Sequence, residues 1–473
     1  MAPDRVPPLL PLASGDGHRR RLVPPGPAGA RPATFLAAAD TADRALALFV
    51  LDPALLRPAG PARRTYLARS LRRLDAALGG RLLVVRGDPA RVVPEVAAAA
   101  GAATVHVAAD FGPYGVRRDR AVEEALAGTG RTLVRTGSPY AVAPGRVRTA
   151  AGPPYRVFTP FRRAWAEHGW RAPAATDAGT LRWCAAPDGV RAAAIPGDED
   201  LAADLPAAGE HAALARWREF LDGPVHRYGD NRDRPDLGGT SRMSVHLKFG
   251  EVHPRTLLAD LASHRSEAAE TYRSELAWRE FYADVLHADP ESARRNHNRA
   301  FDALPVETGP RARGLFAAWQ AGRTGFPVVD AGMRELRAHA WMHNRVRMIV
   351  ASFLVKDLHL PWWWGARHFM RLLVDGDLAS NQHGWQWTAG SGTDAAPYFR
   401  VFDPVAQGER FDPDGDYVRR FVPELRAVPG RAVHRPWELP GGPPAGYPAP
   451  VVDHGAERRD ALARYEVVKA ARA

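Results

Sequence analysis

The chain has 473 residues, 45% of them hydrophobic, which is enough for two or three domains with cores of their own. No apolar run approaches the ~18 residues that a membrane span requires, and the single cysteine excludes an internal disulfide. The formal net charge of +11 favours a polyanionic partner, although a coding bias toward arginine would give the same balance. We therefore expect a cytoplasmic monomer that does not enter the membrane.

The chain changes character near residue 34. Residues 1–33 are rich in Pro, Gly and Arg without a sustained period, so we expect them to be disordered or aberrant. Residues 34–140 alternate apolar, β-prone runs with helical stretches, which predicts an α/β domain with a Rossmann-like parallel sheet. The predicted strands are 45–51, 82–85, 104–107 and 132–134, and the predicted helices are 64–78, 89–100 and 116–126. No Gly-rich dinucleotide fingerprint follows these strands, which argues against an NAD site.

The second half of the chain has a helical period throughout. Residues 141–205 are mixed and rich in Pro and Gly, so we interpret them as an ordered connector. Residues 206–473 predict an all-α domain long enough to have its own core. Its clearest predicted helices are 257–263, 274–286, 314–320, 330–338 and 341–358.

The stretch 375–410 concentrates polar and aromatic residues of unusual variety. Two acids, an Asn–Gln pair and two tryptophans occur within thirteen residues: Asp375, Asp377, Asn381, Gln382, Trp385 and Trp387. Such a set can hold a planar, hydrogen-bonding, redox-active ring. It can equally form a loop-rich corner with capped helices, because Asp, Asn and Gly are ordinary turn residues.

Two helical stretches carry polar residues on a defined face. Glu275 and Trp278 are three residues apart and share a face, although a surface pair between Glu275 and Arg279 is the more ordinary interpretation. In 341–358, Asn344 and Met348 share a face with Arg347. If that face is buried, a ligand or a partner carboxylate must satisfy its polar groups.

The remaining motifs are less specific. The sequence GGTSRMS at 238–244 opens a helix with hydroxyls, which suits a phosphate or an ordinary N-cap. The sequence DPDGD at 412–416 lacks the glycine and glutamate positions of a calcium loop. The histidines have no metal-binding spacing, so we predict no metal site.

Taken together, several motifs resemble the photolyase/cryptochrome family, and most closely its microbial (class I) cyclobutane pyrimidine dimer DNA photolyases. They occur in the family's order over residues 34–435. They are YGDNRD at 228–233, TSRMS at 240–244, ELAWREFY at 275–282, FPVVDAGMR at 326–334, WMHNRVRM at 341–348 and DGDLASNQHGWQW at 375–387.

The resemblance implies FAD bound in the all-α domain. Asp375 and Asp377 match the acids around the flavin ring, Arg347 matches the ion-pair partner of Asp375, and Asn381 matches the residue that faces flavin N5. The residues that match contacts on the phosphate side are Tyr228, Thr240, Ser241, Arg242, Met243 and Ser244.

The resemblance also implies three further groups of residues. The pocket for a flipped-out dimer would consist of Glu275, Trp278, Asn344, Met348 and Trp387, beside Asn381. The chain that passes electrons from the surface to the flavin would consist of Trp385, Trp362 and Trp319. The DNA-facing cations would be Arg345, Arg400 and Arg410.

One part of the chain departs from the family pattern. Residues 1–40 contain nothing like the motif that follows the family's first strand, so we expect that strand to be missing from the sheet. Part of the pocket for a second, antenna chromophore would be missing with it. The alternative is that residues 1–33 supply a substitute strand. Lys248 resembles a lysine of members that use a deazaflavin antenna, and a folate is the alternative.

The resemblance thus implies a deoxyribodipyrimidine photo-lyase, a carbon–carbon lyase that repairs dimer-containing DNA with light and reduced FAD. The alternative is a cryptochrome-type signalling flavoprotein without repair activity. Asn381 favours the enzyme, because a neutral carboxamide does not oppose the negative charge of a reduced flavin.

Overall fold

The computed structural model describes residues 9–11, 37–38, 42, 44–174, 182–394 and 399–471. A parallel sheet occupies the first part and helices dominate the rest, which confirms the predicted α/β and all-α organisation. The strands are β1 (Leu9–Pro11), β2 (Arg44–Leu51), β3 (Leu82–Arg86), β4 (Thr104–Val107), β5 (Thr132–Arg135) and β6 (Arg182–Trp183).

The sheet has the order β3-β2-β1-β4-β5, with β6 pairing with the start of β2. The expectation that the first strand is missing is wrong, because β1 pairs in parallel with both β2 and β4. A central strand requires only a short extended backbone that can complete two ladders, and it does not require the family's motif. The prolines around β1 concealed this strand in the sequence.

Helices cover both faces of the sheet: α1 (Pro53–Leu56), α2 (Pro61–Ala77), α3 (Pro89–Ala99) and α4 (Pro113–Ala127). Alternate residues of β2 and β3 enter different cores, as the period of two requires. In β2, Leu46 and Leu48 pack with α3 and α4, whereas Ala47 and Leu51 pack with α2.

The connector is divided between the two domains. Its helix α5 (Phe158–His168) packs into a helical core, where Phe161 contacts Phe281 with ring centroids 5.1 Å apart. Its second half returns to the sheet, where Ala193 donates a backbone hydrogen bond to Val84. The connector therefore ties the domains together on both sides.

The all-α part begins with α6 and runs to the described end of the chain. None of its described helices is long and apolar enough to span a membrane. Its helices are α6 (Glu210–Asp222), α7 (Tyr228–Asn231), α8 (Ser244–Lys248), α9 (Pro254–Leu261), α10 (Glu267–Ala288), α11 (Pro310–Ala321), α12 (Pro327–His339), α13 (Asn344–Ser352), α14 (Trp362–Leu372), α15 (Leu378–Ala389), α16 (Pro404–Phe411), α17 (Asp416–Phe421) and α18 (His454–Ala470). The predicted helix 341–358 is shorter than expected, because it begins at Asn344 and becomes a π-helical turn over Phe353–Asp357.

Candidate functional site

An ion pair between α13 and the start of α15 lies at the centre of the candidate site. Arg347 Nη2 is 2.9 Å from Asp375 Oδ2, so the carboxylate that the polar face of α13 requires is Asp375. The other oxygen, Asp375 Oδ1, is buried and has no hydrogen-bond partner among the described residues. A buried carboxylate oxygen without a donor is costly, so this atom is a natural acceptor for a ligand N–H.

Asp377 and Asn381 lie at the start and in the first turns of α15. Asp377 caps the helix by accepting a hydrogen bond from Ser380 N at 2.9 Å. Burial opposes the charge of Asp377, but Lys248, Arg279 and the cap outweigh it and hold its pKa below the usual value. Asp377 is therefore an anion held in place by a helix and two cations.

The Asn381 side chain is buried and oriented by two hydrogen bonds. Its Nδ2 donates to Ala366 O at 3.1 Å and to Gln382 Oε1 at 2.8 Å. Both amide hydrogens are thereby used within the described structure. The carbonyl oxygen of Asn381 is the atom that remains to accept a hydrogen bond from a ligand.

The TSRMS loop precedes α8 and is fixed from two sides. Arg216 donates to the carbonyls of Thr240 and Ser241 at 2.9 and 3.0 Å, and Ser241 Oγ lies 2.8 Å from Tyr272 Oη. Arg242 has a φ of 55°, an uncommon conformation for a residue with a side chain. Such strain is frequent in segments that clamp a ligand.

Of the other residues predicted to contact the FAD phosphates, two contact Trp341 and two are buried in the hydrophobic core. The Arg242 guanidinium lies 4.6 Å from the ring centroid of Trp341, whose Nε1 donates to Ser244 Oγ at 3.4 Å. Met243 and Tyr228 are both buried and belong to the hydrophobic core, so only their backbone or ring edge could reach a ligand. The loop thus presents hydroxyls and one arginine beside Arg347.

Glu275 and Trp278 project from one face of α10, as predicted. Glu275 pairs with Arg232 at 2.8 Å and not with Arg279, so the ordinary surface pair does not form. Arg279 instead donates to Pro139 O at 3.0 Å. Burial raises the pKa of Glu275, and the nearby Arg232 opposes the rise.

Trp278 is backed by a residue that the sequence analysis missed. Phe158 stacks on its indole with ring centroids 3.7 Å apart and planes 10° apart. Phe158 N donates to Asp394 Oδ1 at 3.2 Å, which ties the connector to the segment that follows α15. The spacing of FTPF at 158–161 gave no sign of this contact, which joins positions far apart in the chain.

The remaining residues of the predicted pocket are accessible. Asn344 is exposed at the start of α13, and Met348 and Trp387 are half-buried. Apolar side chains that keep part of their surface in water suit the wall of an open pocket.

Two of the three predicted electron-transfer tryptophans are in ring contact. Trp385 and Trp319 are direct neighbours, with ring centroids 6.1 Å apart, and Trp319 has no exposed surface. Trp319 is enclosed in the core of the all-α domain and does not reach solvent, so its part in the electron-transfer chain stays a prediction. Trp362 lies on α14, and its Nε1 donates to Asn296 Oδ1 at 2.9 Å.

The three predicted DNA-facing arginines differ in their surroundings. The guanidinium carbons of Arg345 and Arg410 lie 4.6 and 5.0 Å from the ring centroid of Phe411. The guanidinium carbon of Arg400 lies 5.3 Å from the ring centroid of Phe402. Arg400 and Arg410 are exposed, whereas Arg345 is partly buried and forms a 2.7 Å ion pair with Asp233. Arg345 is therefore held by the protein, which the sequence did not indicate.

A cavity of 1410 Å³ separates the sheet from the all-α part. Leu51 and Val107 line it at the carboxyl ends of β2 and β4, and Lys248, Trp362 and Gln382 line the opposite wall. In open parallel sheets, ligands bind at the carboxyl ends of strands where the strand order reverses.

Comparisons with known proteins agree with this architecture. Residues 272–467 match the FAD binding domain of DNA photolyase, and residues 32–178 match the DNA photolyase domain. The chain is 43% identical to a deoxyribodipyrimidine photo-lyase of Streptomyces griseus, over 91% of this chain and 94% of the relative.

The chain is also similar to solved structures of photolyases and cryptochromes. A bacterial class III photolyase from Agrobacterium tumefaciens is 36% identical with a TM-score of 0.86, and 98% of each chain is covered. A cryptochrome of Synechocystis sp. PCC6803 is 25% identical with a TM-score of 0.86, covering 99% of this chain and 100% of the other. The chain therefore belongs to the photolyase/cryptochrome family.

Proposed function

We propose that the protein is an enzyme that uses light to split cyclobutane pyrimidine dimers in DNA, with reduced FAD as the cofactor. The observation that carries this proposal is the neutral Asn381 amide, whose nitrogen donates to Ala366 O and Gln382 Oε1, so that its carbonyl oxygen is the atom that remains to accept from a ligand. The identity of 43% to a curated photo-lyase supports it.

The residues present fit FAD. Asp375 Oδ1 lacks a donor and can accept one from the flavin ring, while Arg347 neutralises the same carboxylate. Arg242, Thr240 and the hydroxyls beside them would hold the phosphates. When bound and reduced, FAD supplies the photoexcited electron that opens the cyclobutane ring and receives it back. The protein's part is to hold the ring, exclude water and position the dimer.

The dimer pocket would use the accessible residues around α10 and α15. Trp278 and Trp387 would stack on the flipped-out bases, and Glu275 would hydrogen-bond a pyrimidine edge. Exposed Arg400 and Arg410 would bind backbone phosphates.

The proposal also includes a second chromophore, a division into domains, a monomeric state and a cytoplasmic location. The cavity beside Lys248 would take a second chromophore, a deazaflavin or a folate. We propose a division into a sheet domain, a connector and an all-α domain near residues 140 and 205, and a monomeric, cytoplasmic protein. The connector contacts both the all-α core, through Phe161, and the sheet, through Ala193, which supports its place between the two domains.

The test is a repair assay with purified, chemically reduced protein and a dimer-containing oligonucleotide under blue light. We expect light-dependent loss of dimers in wild type, and a lower yield with a shorter reduced-flavin lifetime in Asn381→Asp. Asn298→Asp is the matched control, because Asn298 caps a short helix and Asp is an equally good cap. Absence of repair by FAD-loaded wild type would support the signalling alternative. A wild-type yield in Asn381→Asp would remove Asn381 from the flavin.

A further inference from the structure

One helix of the sheet domain, α2, also packs against the all-α domain. Its N-cap is Gly60, where an added Cβ would come within 1.6 Å of Arg371 O near the end of α14. Gly60 therefore lets the backbone of α2 approach α14 more closely than a side chain would allow. This contact brings α2 beside the acid loop, residues 373–377, which connects α14 to α15 and carries Asp375 and Asp377.

Arg63 reaches from α2 into the acid loop. Its Nη1 donates to Gly376 O, between the two acids, at 3.3 Å, and an added Cβ on Gly376 would lie 2.5 Å from the same nitrogen. Burial lowers the pKa of the Arg63 guanidinium and Asp375 opposes the change, so the two charges lie within electrostatic range of each other. Because arginine keeps its proton in proteins, Arg63 holds the backbone of the acid loop with a permanent cation.

Tyr66 follows Arg63 by one turn of α2 and contacts the other side of the candidate cofactor site. It is 0% exposed, and its Oη donates to Glu251 Oε2 at 2.8 Å. The same oxygen lies 2.6 Å from Nδ1 of His246, which belongs to α8, the helix after the TSRMS loop. Glu251 Oε1 accepts from Gly209 N, at the N-cap of α6, at 2.6 Å. One buried carboxylate thus joins α2, α6 and α8.

An apolar core around Tyr66 connects both sides of the site. Trp341 and Val374 pack in the same core as Tyr66. Trp341 Nε1 donates to Ser244 Oγ at the end of the TSRMS loop, and Val374 directly precedes Asp375 in the chain. Because protein cores are close-packed and transmit strain, a displacement of α2 would move the TSRMS loop and the acid loop together.

We propose that α2 of the sheet domain positions the cofactor site of the all-α domain, with Arg63 and Tyr66 as the positioning residues. Arg63 fixes the backbone of the acid loop, and Tyr66 fixes the helix that follows the TSRMS loop. These contacts do not involve β1 or a second chromophore. The inference rests on the proposed FAD site and goes beyond it, because every residue assigned to that site belongs to the all-α domain.

The rate at which FAD leaves the full-length, FAD-loaded protein in the dark tests this positioning. Flavin fluorescence after dilution measures the release. We expect Arg63→Gln and Tyr66→Phe to release FAD about fivefold to tenfold faster than wild type, as the loss of one hydrogen bond predicts. The vibronic bands of the bound flavin should also broaden, because the ring is held less rigidly. Arg63→Lys keeps the charge and a donor, so it should restore most of the wild-type rate.

Two control variants separate positioning from general stability. Tyr447→Phe removes a buried bond of the same kind, from Tyr447 Oη to Asp330 Oδ2 at 2.8 Å, in a different core. Arg69→Gln removes a surface cation of the same helix, 37% exposed. We expect both controls to release FAD within about twofold of wild type. Urea unfolding of the FAD-free proteins should nevertheless show that Tyr447→Phe loses as much stability as Tyr66→Phe.

The proposal would be overturned by wild-type FAD release in both Arg63→Gln and Tyr66→Phe. An equal acceleration in Tyr447→Phe would overturn it as well. If Tyr66→Phe does not fold, Arg63→Gln decides alone, because Arg63 is half-buried and lies outside the apolar core. The release is measured without DNA, so a wild type that holds FAD but does not repair dimers would count against the proposed function alone. A wild type that does not bind FAD would overturn both.

Discussion

The sheet domain and the all-α domain are stabilised in different ways. The sheet depends on strands that are apolar on both faces. In β2, for example, the successive residues Leu46 and Ala47 enter the cores on opposite sides of the sheet. The all-α domain has apolar cores of its own, and it also contains more buried acids than the sheet domain, which hold loops and helices by hydrogen bonds. Glu280, for example, accepts from Val142 N at 3.0 Å and from Trp165 Nε1 at 2.6 Å, which fixes the connector. Apolar packing thus stabilises both domains, and buried polar contacts contribute more in the second.

The buried acids themselves fall into two kinds. Asp330 accepts from Thr324 N at 2.6 Å, Thr324 Oγ1 at 2.8 Å, Gly325 N at 3.0 Å and Tyr447 Oη at 2.8 Å. Asp375, in contrast, has one oxygen paired and one without a donor. The comparison separates an acid that serves the fold from an acid that is available to a ligand.

Removal of residues 1–33 tests the sheet domain, and we expect it to have the largest effect on the structure. Without β1, the ladder groups of β2 and β4 that face it lose their partners, so we expect the sheet to open. Hydrogen exchange should show loss of protection in β2 and β4, while α13 and α15 keep theirs and FAD is retained. Unchanged protection in β2 would show that the paired backbone of Leu9–Pro11 contributes nothing.

Asp330→Ala tests the anchoring acids. Several buried donors lose their acceptor at once, so we expect the free energy of unfolding to fall by roughly 3–5 kcal/mol. Urea unfolding followed by circular dichroism measures the change. Asp416→Ala is the control, because Asp416 is 62% exposed in its pair with Arg419 and should cost only about 0–1 kcal/mol. Equal losses in the two variants would contradict the distinction.

Asp375→Asn tests the acid that is available to a ligand. We expect FAD to bind about tenfold more weakly, equivalent to ~1.4 kcal/mol, because the amide removes the charge opposite Arg347. Fluorescence titration of FAD-free protein measures the affinity. If unfolding without FAD changed as much as in Asp330→Ala, Asp375 would belong with the anchoring acids.

Phe158→Leu tests whether the connector contributes to the pocket. Loss of the 3.7 Å stack should leave Trp278 less constrained, with a cost of about 1 kcal/mol and a several-fold rise in KM for dimer-containing DNA. The turnover at saturation should change less than KM. Phe158→Tyr, which keeps the ring, should restore KM, and its failure to do so would point to a structural defect instead.

Arg400→Ala should have the smallest effect. Arg400 is exposed, and in the described part of the chain it has no carboxylate partner, so it is free to neutralise a phosphate. We expect the slope of log affinity against log salt to fall by about 1 with little change in stability. Arg345→Ala is the contrast, because it breaks the pair with Asp233 and should lower stability as well. An unchanged slope in Arg400→Ala would place Arg400 outside the interface.

Much of this protein follows from the sequence alone. The strands β2 to β5 were predicted within a residue or two, because a buried parallel strand must be apolar on both faces. The pairing of Arg347 with a carboxylate was also predictable, since a cation on an otherwise apolar helix face must find a partner. The motifs themselves were sufficient to indicate the family.

Only the tertiary structure decided the remaining points. Leu9–Pro11 is a strand because two neighbours offer it ladders, and not because its own residues favour one. Glu275 pairs with Arg232 and not with Arg279, Phe158 reaches Trp278, and Trp319 is enclosed in the core. Spacing along one helix determines which residues share a face, but the element that packs against that face is supplied by a distant part of the chain. For that reason the local sequence indicated the chemistry, and the packing of distant elements decided which side chains can perform it.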